Sequence, residues 1–192
     1  TVTLNKLSNG KINVFFIGRI SPNKGHKGII YTAYYYKLLF GNNIRFIISG
    51  GLDPKLDKYY NKLKGLIYQL GIGDIIEFTG RVSFSELKSY YSGSHIFLLL
   101  SEHEGFCIPI LESQYFKLPI IAYGTSAVKE TIGENQLVYD VLDYETISSA
   151  IYTLSGNSEM KSYLVREGYE NFLKYEKDNL KDKFLSYLKE LE

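Results

Sequence analysis

Five short apolar runs decide what this chain can fold into: "NVFFI" (13–17), "IRFIIS" (44–49), "DIIEF" (74–78), "HIFLLL" (95–100) and "PIIAY" (119–123). They are rich in β-branched and aromatic residues and nearly continuous rather than alternating, as strands are when helices cover both faces of a parallel sheet. Between them stand segments with helical spacing: "KGIIYTAYYYKLLF", "PKLDKYYNKLKGLIYQLG", "SFSELKSYYSG" and "IPILESQYF". Strand, loop and helix repeat at intervals of about 20 to 30 residues, the length of a right-handed βαβ unit. The expected fold is α/β, a doubly wound parallel sheet of Rossmann-like type.

Punctuation agrees with that frame. Gly71 ends a helix that begins after Pro54, and Ser83 or Ser85, with Glu86 close behind, caps the next. Past a last short strand at "QLVYD" the chain turns helical in "YETISSAIYTLSG", "SEMKSYLVREGYENFLKYE" and "KDNLKDKFLSYLKELE". Residues 1–192 therefore read as a single domain, with sheet and helices over about 12–155 and terminal helices over 156–192. The opening "TVTLNKLSNGKI" is polar, with an Asn-Gly turn, and reads as a lead-in to the first strand or the remains of an interdomain connection.

Composition removes several classes of function. A chain of 192 residues with 45% hydrophobic and 22% charged content has the make-up of an ordinary globular domain, which excludes disorder and fibres. A net charge of +1, with lysines scattered among glutamates, offers no footprint for nucleic acid. Cys107 has no internal disulfide partner, and His26, His95 and His103 show no zinc-ligand spacing with it, so no metal is expected and a reducing compartment is. The apolar runs fall far short of the roughly 20 residues that span a bilayer, and Thr1 begins no signal-like pattern. A cytoplasmic location is the expectation.

In an open parallel sheet, ligands bind beyond the carboxyl ends of the strands. After the first run comes "GRISPNKGHKG", in which Gly18 allows a turn, Gly25 allows close approach, and Arg19 and Lys24 suit a diphosphate as well as they suit a solvated loop. The segment lacks the Lys-Ser/Thr ending of a P-loop and the G-x-G-x-x-G of a dinucleotide fold, which counts against an NAD-dependent oxidoreductase. "SGGLDP" follows the second run as a ligand approach or a plain turn. After the third run, Gly80, Arg81 and Val82 present main-chain groups to the flat edge of a base, or simply lead into a capped helix.

After the fourth run comes "SEHEGFCIPILE". Pro109 suits the first turn of a helix because its missing N–H would be unpaired there, so the helix starts near Cys107 or Ile108. Free amides at such an end attract anions. Glu104 precedes this helix and Glu112 lies about one turn inside it, a spacing that suits two ends of one ligand with vicinal hydroxyls. The alternative for Glu112 is a solvated helix face, against which its apolar neighbours Ile108, Ile110, Leu111, Tyr115 and Phe116 count. The histidines read as structural or solvated.

With "GRISPNKG", "FTGRVSFSEL", "SEHEGFCIPILE" and "PIIAYGTSAVKETIG" in this order, the chain resembles the C-terminal, nucleotide-sugar-binding domain of the retaining glycosyltransferases of family 4 (group 1), which have the GT-B fold. The likeness runs from about residue 12 to 155. It implies that Arg19 and Lys24 hold the diphosphate and stabilise the leaving group, and that Glu112 binds the ribose hydroxyls. It implies that Glu104, with the amides of Gly105, Phe106, Cys107 and the start of the helix at Ile108, grips the donor sugar and its phosphate. Val82 and its neighbours meet the base, and Thr125, Ser126 and Ala127 wall the cleft. The substrate is then a UDP-sugar or GDP-sugar, with no cofactor and no metal, for transfer of a hexose to a glycan or lipid-linked acceptor.

Nothing in the chain corresponds to the N-terminal acceptor-binding domain of that family. The chain is then either one domain of a longer protein or a subunit that needs a partner. Sugar transfer by it alone is expected to be weak or nil, and peripheral membrane association belongs to the full-length protein. Apolar positions of the last helix, Leu180, Phe184, Leu185, Leu188 and Leu191, are expected to be partly exposed. A nucleotide-sugar 2-epimerase of GT-B fold and a non-catalytic nucleotide-sugar-binding module are the alternatives.

Overall fold

The computed structural model describes residues 2–125 and 127–180. The five expected strands form as β1 (Ile12–Ile17), β2 (Ile44–Ser49), β3 (Ile76–Gly80), β4 (Ile96–Leu99) and β5 (Ile120–Tyr123), followed by β6 (Leu137–Tyr139). All pairings are parallel, in the order β3-β2-β1-β4-β5-β6. Phe15, Phe46, Phe97, Leu98, Ile120 and Ile121 are all at most 1% exposed. Neighbours in a strand point to opposite faces, so burial of both Phe97 and Leu98 means that helices cover both sides, and the runs need not alternate.

The third strand lies two residues later than its apolar run suggests. Pairing shifts between Ile48 and Ser49 and carries β3 on to Gly80, while Asp74 lies outside the strand and pairs with Lys37 at 2.6 Å. Side chains of β3 are only half-buried because it is an edge strand.

The helices are α1 (Val2–Leu7), α2 (His26–Phe40), α3 (Asp57–Gln69), α4 (Phe84–Gly93), α5 (Ile108–Tyr115), α6 (Val128–Ile132), α7 (Tyr144–Gly156) and α8 (Ser158–Leu173). Pro54 opens a single 3-10 turn, capped by Asp53, and α3 starts only at Asp57. Ser83 rather than Ser85 caps α4, because Glu86 at the third helical position completes a reciprocal capping box. Right-handed crossovers put α2 and α3 on one face, where α7 packs on α2; α4 and α5 take the other face, joined by α1 and α8.

The opening dozen residues are not a plain lead-in. They contain α1, which packs on α4 and buries Leu7 in the core. Gly93 makes room for it, since a Cβ there would lie 2.6 Å from Leu7 Cδ1. One short turn and a half among Asn5, Lys6 and Ser8 leaves too little periodicity to read from sequence. Of the expected last helix, Phe184, Leu185, Leu188 and Leu191 lie outside the described residues, and Leu180 is exposed. Among the described residues no helix is long and apolar enough to cross a membrane.

Candidate functional site

The chain leaves β1 toward β2 on one side and β4 toward β5 on the other, so the loops after β1 and β4 part and open a crevice between them. Close backbone approach shapes its floor. Gly25, at φ 68, starts α2, and a Cβ there would lie 1.9 Å from the Leu100 carbonyl oxygen at the end of β4. Gly50 stands in the same relation to the Gly18 carbonyl oxygen. Glu102 N–H donates to the Asn23 carbonyl at 2.9 Å, joining the two loops directly.

Lys24 and Glu104 meet across that crevice. The Lys24 ammonium donates to both oxygens of Glu104, at 2.8 and 2.7 Å, with side chains 20% and 8% exposed. A carboxylate so far from water needs a partner of opposite charge. Arg19, at the start of the same loop, is exposed and forms no ion pair among the described residues.

The second glutamate has a partner that sequence reading missed. Tyr91, from α4, donates its hydroxyl to Glu112 Oε2 at 2.7 Å. Its ring is locked edge-on against Phe15 at 5.1 Å and stacked on Phe116 at 5.1 Å. Burial, and then the Glu112 charge, hold the phenol well above its usual pKa, so it remains a donor. No local signal links the two, which lie 21 residues apart.

The helix at the opening of the crevice begins at Ile108, as Pro109 predicts. Cys107 precedes it in the left-handed region at φ 58, and no side chain caps that end. Burial, reinforced by Glu104, pushes the Cys107 thiol up to about 12, which makes it an inert packing group. Phe106 and Ile108 are exposed, the Phe106 ring resting on Tyr175 at 5.5 Å. Thr131 Oγ1 donates to the Phe106 carbonyl and Thr125 Oγ1 to the Ser101 carbonyl, both at 2.7 Å, and so tie down the β4 loop. Ser126 lies outside the described residues.

Gly18, Arg19, Lys24, Gly25, Glu104, Gly105 and Cys107 thus surround the β1/β4 crevice. Gly80, the last residue of β3, and Arg81 and Val82 just after it stand two strands away from β1. There Gly50 N–H donates to the Gly80 carbonyl at 3.0 Å, and Arg81 lies over Gly51. A small cavity of about 200 Å3, lined by Ile20, Gly50, Leu52, Tyr60, Phe78 and Gly80, opens beside them. His26 is structural, as expected, but fully buried. Desolvation is the main cause that lowers its imidazole to about 4, with Lys24 adding to the effect.

A parallel sheet wound both ways from β1 and β4, with its charged loops gathered at the carboxyl edge, defines a Rossmann-like α/β domain with a ligand crevice. The chain belongs to the glycosyl transferases group 1, a family that matches residues 5–171. It shares its fold with the C-terminal domain of a glycosyl transferase group 1 family protein (LpcC) from Francisella tularensis. That likeness has a TM-score of 0.76 and 24% identity and covers 89% of both chains. It also matches 52% of HepE from Anabaena, solved with UDP and glucose, at a TM-score of 0.82 and 15% identity. Among curated proteins it is 26% identical to the D-inositol 3-phosphate glycosyltransferase of Acidothermus cellulolyticus over 86% of this chain and 38% of that one. It is 30% identical to the mouse GDP-Man:Man(3)GlcNAc(2)-PP-Dol alpha-1,2-mannosyltransferase over 59% of this chain and 24% of the relative. The chain thus spans well under half the length of these two relatives.

Proposed function

We propose that this chain is the donor half of a retaining glycosyltransferase, binding a nucleotide-diphospho-sugar in the β1/β4 crevice for transfer of a hexose to a glycan or lipid-linked acceptor. The observation that carries the reading is the Lys24 and Glu104 pair at the switch point, beside Arg19, which forms no ion pair among the described residues. Lys24 has three N–H donors and uses two on Glu104, so one remains for a phosphate oxygen. Arg19 offers a bidentate fork to the same diphosphate. Both cations stabilise the charge that grows on the leaving phosphate as the bond from the sugar C1 breaks. The acceptor hydroxyl attacks C1 from the same face and passes its proton to the departing phosphate oxygen, so no protein nucleophile is needed.

Glu104 keeps lone pairs for the sugar hydroxyls, and Glu112, aimed by Tyr91, accepts from the ribose. The main chain of Gly80 to Val82 meets the base. No metal or cofactor is required, because Arg19 and Lys24 supply the positive charge. The acceptor is held by an N-terminal domain of a longer protein, which works in the cytoplasm and associates peripherally with the membrane.

Isothermal titration of this chain with UDP, GDP, UDP-glucose and GDP-mannose, without metal, tests the reading. Saturable binding of one nucleotide class, lost in Arg19→Ala and Glu112→Ala, is the expected result. Absence of binding at millimolar ligand overturns the claim that this chain forms a donor site by itself.

A further inference from the structure

A second cavity, of about 500 Å3, lies in the groove between α2 and α3, lined in part by Lys27, Tyr31, Tyr59, Lys62, Gly65 and Leu66. Two ammonium groups stand there over an apolar wall, and neither forms an ion pair among the described residues. Lys27 Nζ sits 5.6 Å from the centroid of the Tyr31 ring, which is itself stacked on Tyr144 at 5.5 Å. Burial first, and then the carboxylate of Glu102, raises the pKa of Tyr59 and Tyr144, and that carboxylate pairs with neither lysine among the described residues.

Gly65 is the odd residue of this groove. Glycine is the poorest helix former after proline, yet it occupies the interior of α3. A Cβ at this position would meet nothing within 4 Å, so packing does not demand glycine. Its effect is to leave the groove open.

The charge is divided unevenly along the sequence. Residues 1–81 carry twelve Lys and Arg against four Asp and Glu, while residues 82–192 carry ten against seventeen. The first of these stretches builds β1 to β3 with α2 and α3, while α7, from the acidic remainder, packs on α2 through uncharged contacts such as Tyr31 on Tyr144. The two helices that form the groove carry five lysines against one carboxylate, Asp57, whatever the net charge of the whole.

Further along the same two helices lies a cavity of about 310 Å3 lined by Tyr34, Lys37, Leu38, Leu70 and Ile72. Lys37 is neutralised there by Asp74, and Leu38 is 64% exposed. The groove thus runs from a bare cationic end to an apolar one.

We infer that the α2–α3 groove binds a membrane phospholipid, with the phosphate between Lys27 and Lys62 and the apolar body lying along Leu66 toward Leu38 and Leu70. A free phosphate would use the cations but leave the apolar run without a purpose. The match between head and groove is electrostatic, and that between chain and groove hydrophobic.

Sedimentation of this chain with phosphatidylcholine vesicles, and with the same vesicles containing phosphatidylglycerol, tests the assignment. Binding is expected only to the anionic vesicles. It should fall about ten-fold in Lys27→Gln/Lys62→Gln, which removes two interfacial cations. Gly65→Leu, which blocks the groove without changing charge, should weaken it similarly. Lys55→Gln/Lys64→Gln, the same charge change on the same half outside the groove, should leave binding within about two-fold, since a specific site outweighs the diffuse field. Equal loss in both double variants, or no preference for anionic vesicles, overturns the proposal. So does inorganic phosphate binding that depends on Lys27 and Lys62 without vesicle binding. If Gly65→Leu does not fold by thermal melting, the two lysine pairs decide the matter.

Discussion

Lys24 and Glu104, 80 residues apart in the chain, form one closed ion pair, the ammonium reaching both carboxylate oxygens at 2.8 and 2.7 Å. The pair fastens the loop after β1 to the loop after β4 at the point where the sheet winds in opposite directions. Its two partners are unequally buried, and so unequally costly to lose. Lys24→Ala leaves a carboxylate in a dry site and should destabilise the fold by about 3 kcal/mol. Glu104→Gln leaves a more exposed ammonium and should cost about 1 kcal/mol. Urea unfolding of the two variants checks the order, and equal costs would refute it.

Tyr91→Phe keeps the ring packing on Phe15 and Phe116 but strips Glu112 of its donor. The loss in stability should be about 1 to 2 kcal/mol. If Glu112 holds the ribose, nucleotide affinity should also drop, by about ten-fold for a loosened charge-assisted hydrogen bond. Calorimetry that finds stability lowered and affinity intact would separate Glu112 from the ligand.

His26 makes stability depend on pH. The unfolded chain takes up a proton near 6.5, the folded chain only near 4, so stability rises with pH across that window and is lost as pH falls through it. His95, also lowered by burial, acts in the same direction. From the His26 shift alone, a loss of about 3 kcal/mol by pH 4 is expected. Urea midpoints between pH 7 and 4 should show a shallower slope in His26→Phe than in the parent chain. An unchanged slope would assign the effect to other groups.

Two glycines should respond to alanine in opposite ways. Gly25→Ala drives a Cβ into the Leu100 carbonyl from a left-handed backbone and should cost more than about 3 kcal/mol, or abolish folding. Gly65→Ala meets open space in a helix and should add about 0.5 to 1 kcal/mol. Thermal melting distinguishes them, and a destabilised Gly65→Ala would mean that α3 needs the glycine for reasons other than the groove.

Cys107 should resist alkylation. Its thiol is buried and raised to about 12, so iodoacetamide at pH 8 is expected to label it only after unfolding. Rapid labelling of the native chain would show that the β4 loop opens to solvent.

Strand positions, helix caps, the loops that carry Arg19, Lys24 and Glu104 and the helix that carries Glu112 were legible in the sequence, because each depends on neighbours within a few residues. Continuous apolar runs announce strands covered on both faces, Pro109 announces a helix start, and Ser83 with Glu86 announces a cap. Strand order is not local, and everything that depends on it had to wait for the tertiary structure. That includes the closure of Lys24 on Glu104, the reach of Tyr91 to Glu112, the burial of His26 and the packing of α1 against Gly93. The unequal division of charge is already in the sequence, twelve Lys and Arg against four Asp and Glu in residues 1–81. What only the fold decides is that α2 and α3 pack side by side, because helices apart in the chain become neighbours once their strands pair, and so bring Lys27 and Lys62 to one groove.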